Sequence, residues 1–511
     1  MKNKTYNDSL KIVAKGGIIT LTGLFIGKII GYLYIIFIAR LGTYEYGLLS
    51  LAFAIVSFIT VFSIVGLDNG LLRYVSYYSA RKDERRVKGV VLSSIKISLS
   101  LSLLFFIVLF IFSKQISVYI FHNPDLTPML RIFSLMIPFL TLTNAFLAIL
   151  KAFKKIEYDV FVREIAEKSI RLVVFLILFF IGFGVLGATI SYLTSAIGIF
   201  LISLYYLNKT FPLKNKIKPI YYNKELIYYS IPLLLSGTLL VVIAWADILM
   251  IGYFRTAAEV GIYNAALPTA GLMFVLPAAI ISLFLPVVME LYSKNKINEI
   301  KALYKRVSKW IFLTSLPIML IMFVFSRKII EIIFGLQYVE GEIALSILVV
   351  GYLFYAISYT SSNILAMLKK TKITFIISLV SALSNVILNY FFIPPWGING
   401  AAIATSLSFL IGGLFYGLYS YKEMRLQPTS KNFITILILG ILSIFIIYNI
   451  RKLLPVSLNL FYTFLLFFSF LLLYILLILL FKIIDKEDIN LLSSFKKRIT
   501  NILNIRILSF D

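Results

Sequence analysis

The sequence predicts an all-α, polytopic membrane protein of about fourteen transmembrane helices, in two parallel six-helix repeats with two further helices behind them. Three observations predict this. Sixty per cent of the residues are hydrophobic, 14% are charged and the mean hydropathy is +0.96, outside the range of soluble globular chains. Apolar stretches of the length that crosses a hydrocarbon core, about 20 residues, recur along the whole chain. Short sequences also return at spacings of 213 to 218 residues.

In order, the apolar segments are approximately 11–41, 44–70, 89–113, 127–150, 158–182, 186–207, 224–254, 258–291, 303–326, 341–368, 372–393, 397–421, 433–450 and 457–482. The first is too long for a signal-peptide core and no small-residue cleavage site follows it, so it is expected to be retained. The fifth is unusual in its charge: Arg163 and Arg171 share it with Glu164, Glu167 and Lys168. The eighth holds Asn264, Pro268, Pro277 and Pro286. Each internal proline frees a carbonyl and bends its helix, which a membrane tolerates only where protein or a hydrated cavity satisfies the freed group. This segment is therefore expected to bend and to line a cavity.

The repeat is read from three echoes. Gly184-Val-Leu-Gly-Ala-Thr-Ile returns as Gly397-Ile-Asn-Gly-Ala-Ala-Ile, each time opening a long apolar helix. Leu147-Ala-Ile-Leu-Lys151 returns as Leu365-Ala-Met-Leu-Lys369, and Gly47-Leu-Leu-Ser-Leu-Ala52 as Gly261-Ile-Tyr-Asn-Ala-Ala266. The copies are residues 1–207 and 224–424, joined by a basic linker, 208–223, that contains Pro212 and Pro219. Two extra spans follow within 425–483. The tail, 484–511, alternates Leu and Ile with Lys496, Lys497, Arg498 and Arg506, a pattern suited to lying on a lipid surface. Six spans per copy is an even number, so both copies point the same way across the bilayer.

A net charge of +26 would suggest nucleic acid in a soluble protein, but its distribution gives another answer. With a cytoplasmic N-terminus, and with basic residues at helix ends such as Arg40 counted with the loops they adjoin, that side and both tails carry 33 Lys and Arg against 7 on the opposite side. This is the positive-inside asymmetry. It predicts a multi-pass protein of the cell (cytoplasmic) membrane with both termini in the cytoplasm. No nucleic acid is needed to explain the charge.

Several chemistries are missing from the sequence. The chain has no cysteine and a single histidine, His122, beside Asn123-Pro124, so neither disulfides nor a histidine metal site are expected. No phosphate-binding G-x-x-x-x-G-K-[ST] loop, H-E-x-x-H, nucleophile elbow or kinase set occurs. No catalytic residues and no cofactor are assigned. The outward loops are short, which disfavours a membrane glycosyltransferase or polymerase.

On the Gly-x-x-Gly-Ala starts at Gly184 and Gly397, the paired six-span copies and the basic linker, the chain resembles the multidrug/oligosaccharidyl-lipid/polysaccharide exporter superfamily. Within it the chain is most similar to the polysaccharide-unit flippases, through the Gly-rich first span running into Ile38-Ala-Arg-Leu-Gly-Thr-Tyr-Glu-Tyr-Gly-Leu48. The resemblance covers about residues 11–425. It implies two six-helix lobes, alternating access, and a polyprenyl- or dolichyl-linked oligosaccharide as substrate. Membrane lipids and polysaccharide-assembly enzymes are the expected partners, and the coupling ion, Na+ or H+, is left open. A cation-coupled multidrug exporter of the same fold is the alternative.

The charges within the spans are the candidate site. A mid-span cation costs about 2.5–3.5 kcal/mol on insertion scales, so it should face a partner or a cavity. Lys28 lies mid-span among Gly23, Gly27 and Gly31, which allow close approach, and is the first candidate for holding a carrier phosphate. Arg163 and Arg171 are further candidates, although acidic residues three and four positions away would also pair with them. Arg73 and Arg131 lie near span ends. Asp247 is the most isolated acidic residue of the second copy and is read as a cation ligand, an ion-pair partner or a sugar hydrogen-bonding group. Asn264 completes the cavity candidates, and Pro268, Pro277 and Pro286 are the bending positions.

Overall fold

The computed structural model describes residue 20 and residues 22–212, 217–221, 223–368, 370–426, 431–453, 460–485 and 488. Most of the first expected span before Thr22, linker residues 213–216 and 222, and the tail cations Lys496, Lys497, Arg498 and Arg506 lie outside them. The described residues are helical with short turns and contain no strand. Eleven of their helices are long and apolar enough to cross a membrane. The expected count of fourteen differs for identifiable reasons. One of the eleven, Thr371–Met424, is two helices meeting at a kink at Gly397. The expected spans at 158–182 and 224–254 are also helical; the first carries the charges named above, and of the second only Val241–Phe254 is counted as an apolar helix among the described residues.

The chain divides into two compact units. One comprises Thr22–Ala265 with Asn385–Ala401; the other comprises Met1–Leu21, Ala266–Ser384 and Ala402–Asp511.

The first unit opens with α1 (Thr22–Leu41) and α2 (Thr43–Ile64). Residues 44–70, expected as one span, are broken by left-handed Val65 (φ 51°) and Gly66 (φ 68°), so α3 (Leu67–Ala80) is a separate helix. Asp83 caps α4 (Glu84–Gln115) by accepting from the Arg86 N–H at 3.1 Å. Along α4, Ser94, Ser98 and Ser102 are buried while Leu103, Leu104, Ile107 and Ile111 are exposed. Small residues packed inward and aliphatic ones turned outward is the pattern lipid requires. Then come α5 (Leu126–Ser134) and α6 (Met136–Ala152). They are parted at Leu135 because Pro138 has no N–H to give the Ser134 carbonyl. Next, α7 (Ile156–Val160) passes through a π-helical turn, Phe161–Ala166, into α8 (Glu167–Phe180). The chain reverses at Gly182 and Gly184 (φ 95° and 51°) into α9 (Gly184–Thr210), which packs back along α8. After the linker come α10 (Asn223–Phe254) and α11 (Ala257–Gly271).

Equivalent residues of the two copies meet within this unit. A methyl group on Gly47 of α2 would overlap the Ala257 carbonyl and stand 2.9 Å from the Gly261 nitrogen. One on Gly261 of α11 would overlap the Thr43 carbonyl and stand 3.0 Å from the Gly47 nitrogen. Ser50 and Asn264, also 214 residues apart, join by a 2.6 Å hydrogen bond, and Tyr46 donates to the Asn264 carbonyl at 3.1 Å.

In the second unit, a 3₁₀ turn at Leu272–Phe274 precedes α12 (Val275–Ser293). The break falls where Pro277 cannot bond the Met273 carbonyl. Then follow α13 (Ile297–Val324), the short α14 (Ser326–Phe334), α15 (Glu342–Met367), α16 (Thr371–Met424), α17 (Lys431–Leu453) and α18 (Leu460–Leu480). The limbs of α16 run antiparallel: Ser378 bonds Tyr416 at 3.0 Å, and Gly412 lies over Ser381. The two C-terminal helices dock on one stripe of α13. Phe433 stacks on Phe312 at 4.7 Å, Gly440 admits Leu316 and Leu320, and Tyr474 donates to the Leu313 carbonyl at 3.0 Å. Below this stripe Lys309, nearly fully buried, pairs with the buried Asp488 and with Asp485 at 3.6 Å. Trp310 donates to the other Asp488 oxygen at 2.8 Å.

Candidate functional site

The mid-span charges of the first unit gather where α1 crosses the π-helical turn. Gly23, Gly27 and Gly31 recur every four residues and present bare backbone to it. A methyl group on Gly23 would strike Val160, and one on Gly31 would stand 3.4 Å from Lys168 Cδ. One on Gly27 would stand 2.6 Å from Glu164 Oε2, 2.7 Å from the Glu164 carbonyl and 2.9 Å from Lys168 Nζ. Lys168 donates to Glu164 at 2.5 Å. Lys28, exposed in the structure, has Lys168 and Glu164 as its charged neighbours. Glu164 is paired by Lys168, and with Lys28 counted the cluster carries a net charge of +1.

Neighbouring cations are held by carboxylates or polar groups, and one of those carboxylates, Asp159, serves two of them. Arg171 pairs with Glu167 and lies under the Tyr192 ring, 4.1 Å from its centroid, with Phe53 and Tyr34 at 5.6 and 5.8 Å. Arg163 bonds Asp159 at 2.9 Å and Asn144 at 2.5 Å, and Lys151 holds the same Asp159 at 3.0 Å. Spacings of four residues along the helix make the Asp159–Arg163, Glu164–Lys168 and Glu167–Arg171 pairs.

Asp247 of α10 is buried and engaged by neutral groups. Tyr263 donates to Oδ2 at 2.5 Å, while Asn389 and Asn385 donate to Oδ1 at 2.7 and 3.1 Å. The Asn389 carbonyl oxygen is itself buried with no hydrogen-bond donor among the described residues. A carboxylate beside a spare amide oxygen is a donor set suited to a hard monovalent cation or a proton. No group of three or more His, Cys, Asp or Glu side chains is placed to bind a metal among the described residues.

Residues 13–292, more than half of the chain, match the family model described as "Polysaccharide biosynthesis protein". The chain belongs to the polysaccharide biosynthesis protein family. Residues 232–391 of this family member also match the MatE model. It is 28% identical over 426 residues to the uncharacterized membrane protein MJ1068 of Methanocaldococcus jannaschii, covering 79% of this chain and 83% of that one. It is 24% identical to a putative O-antigen transporter of Shigella flexneri, over 79% and 96% of the two chains. Its fold matches that of the lipid II flippase MurJ in an inward closed conformation. The TM-score is 0.74 at 21% identity, over 91% of this chain and 99% of that one.

The remaining residues singled out in this polysaccharide biosynthesis protein are spread more widely. Arg73 is exposed on α3, its guanidinium 4.4 Å from the Tyr229 ring. Arg131 bonds Ser113 at 3.2 Å on α5. Neither joins the Lys28 cluster. Asn264 belongs to the α2–α11 crossing. Pro268 lies inside α11, Pro277 is buried just after the 3₁₀ break, and Pro286 lies within α12. Asp247 is bonded by Tyr263, Asn385 and Asn389. Those amides were missed in the sequence, where two Asn four residues apart in an apolar segment are the signal that could have found them.

Proposed function

We propose that the protein carries a lipid-linked saccharide unit, on a polyprenyl or dolichyl carrier, across the cell membrane by alternating access, for cell-surface polysaccharide or glycan assembly. The surplus charge at Lys28 carries the reading. A phosphate head group drawn through a low-dielectric region needs a cation not already neutralised. Family membership and the similarity to an O-antigen transporter agree with it. In this reading both termini are cytoplasmic, ordinary membrane lipids surround the spans, and polysaccharide-assembly enzymes deliver the substrate. Asp247 with Asn385 and Asn389 takes the coupling ion, Na+ or H+. The second reading, a cation-coupled multidrug exporter, is favoured by that same buried Asp247 and by the MatE match.

One reconstitution separates them. Vesicles containing the protein should translocate a labelled lipid-linked saccharide and leave a lipophilic cationic dye in place. Lys28→Ala should abolish translocation while expression is kept, and Lys28→Arg should retain part of it. Ion-driven dye efflux with no saccharide moved would replace the first reading by the second.

A further inference from the structure

We infer that Glu164 is an internal surrogate for the substrate's phosphate, holding Lys168 in readiness as a second cation of the head-group site. The inference rests on the flippase reading and extends it from Lys28 to a two-lysine clamp.

The geometry points this way through three features. Lys168 and Lys28 come from different helices, Lys168 is held by Glu164, and that pair lies over the bare backbone of Gly27, the residue next to Lys28. Both members of the pair keep roughly a quarter of their side chains accessible, so neither is sealed into the core. The carboxylate also sits on a π-helical turn, the one irregular stretch of its span. Such turns displace a side chain from the regular helical face and cluster at functional positions.

The chemistry is one of exchange. Without substrate, Lys168 would lack a partner in the membrane and add its charge to that of Lys28, and the Glu164 carboxylate beside it relieves both costs. A diphosphate has the same kind of oxygen acceptors and more charge. On entering beside Lys28 it takes over Lys168, and Glu164 yields its place. The Arg171–Glu167 pair, flanked by Tyr34, Phe53 and Tyr192, has no second cation among the described residues and stays as it is.

This predicts a gain from removing a charge. In nanodiscs of zwitterionic lipid titrated with a short-chain polyprenyl diphosphate, Glu164→Gln should bind about tenfold more tightly than the unaltered protein, about 1.4 kcal/mol. Lys168→Gln should bind about tenfold more weakly, and Lys168→Arg should restore binding. Neutral polyprenol should show no such dependence. Translocation by Glu164→Gln should slow, because the surrogate no longer helps to expel the head group. A second series with an anionic glycerophospholipid in place of the diphosphate identifies the source of the phosphate. The same Glu164-dependent gain there would support the surrogate for head-group phosphate in general.

Equal affinity of the unaltered protein, Glu164→Gln and Lys168→Gln for the diphosphate would overturn the inference and leave the flippase reading standing. Failure of the unaltered protein to bind diphosphate or move saccharide would instead sink that reading. If Glu164→Gln does not fold, Lys168→Gln against Lys168→Arg decides alone: unchanged binding in Lys168→Gln overturns the clamp.

Discussion

Gly397 has φ 52° and ψ −131°, a backbone conformation that a side chain strains, and Gly184 has φ 51° at the matching place in the first copy. Gly397→Ala should therefore cost about 1–3 kcal/mol. Thermal unfolding in detergent, read beside Ile398→Ala as a control, would check it; an unchanged midpoint would show that the corner relaxes. At this scale the sequence was legible where a residue type has one physical use. The glycines flanking Lys28 and the repeated Gly-x-x-Gly starts are of that kind. It was illegible where a neutral residue acquires its role from partners far along the chain. Asn385 and Asn389 lie 138 and 142 residues from Asp247, and no local pattern announces that distance.

Between elements, two contacts lend themselves to direct tests. Ser50 and Asn264 touch across the α2–α11 crossing. Because the chain has no native cysteine, Ser50→Cys with Asn264→Cys can be joined by a short bifunctional thiol reagent. If the crossing must part during transport, the joined protein should stop and a cleavable reagent should restore it; transport through the joined form would place the movement elsewhere. The second contact is Lys309 with Asp488. Removing one partner of a buried pair typically costs about 3–5 kcal/mol, whereas replacing both by apolar residues costs far less. Asp488→Asn should lower the unfolding midpoint strongly, and Lys309→Met with Asp488→Leu should recover most of it. The sequence shows α17 and α18 as apolar segments with no counterpart in the repeat. Their docking on α13 is invisible there, since lipid-facing and protein-facing leucines look alike in a chain this apolar.

For the whole molecule, the 33-to-7 division of basic residues predicts an orientation that labelling can test. Ser293→Cys, exposed after α12, should be protected from an impermeant thiol reagent in intact cells. Leu336→Cys, whose native side chain is 75% exposed after α14, should react. The reverse pattern would invert the orientation, and equal labelling of both would break the span count between them. Helical content and internal repetition were readable because hydropathy and spacing survive in one dimension. The subdivision into units was not, because Asn385–Ala401 packs with residues far earlier in the chain.

The glycine crossing has a consequence for ancestry. Contacts in which residue i meets j while j's equivalent meets i's are the mark of a two-fold homodimer. Gly47 and Gly261 meet in that manner, so a single copy could have made the same contact with a second copy of itself. In such an ancestor every substitution at the crossing would have struck twice, once on each side. Fusion into one chain removed that constraint, and the residues record the release: where one ancestral position would have faced itself, Ser50 now faces Asn264.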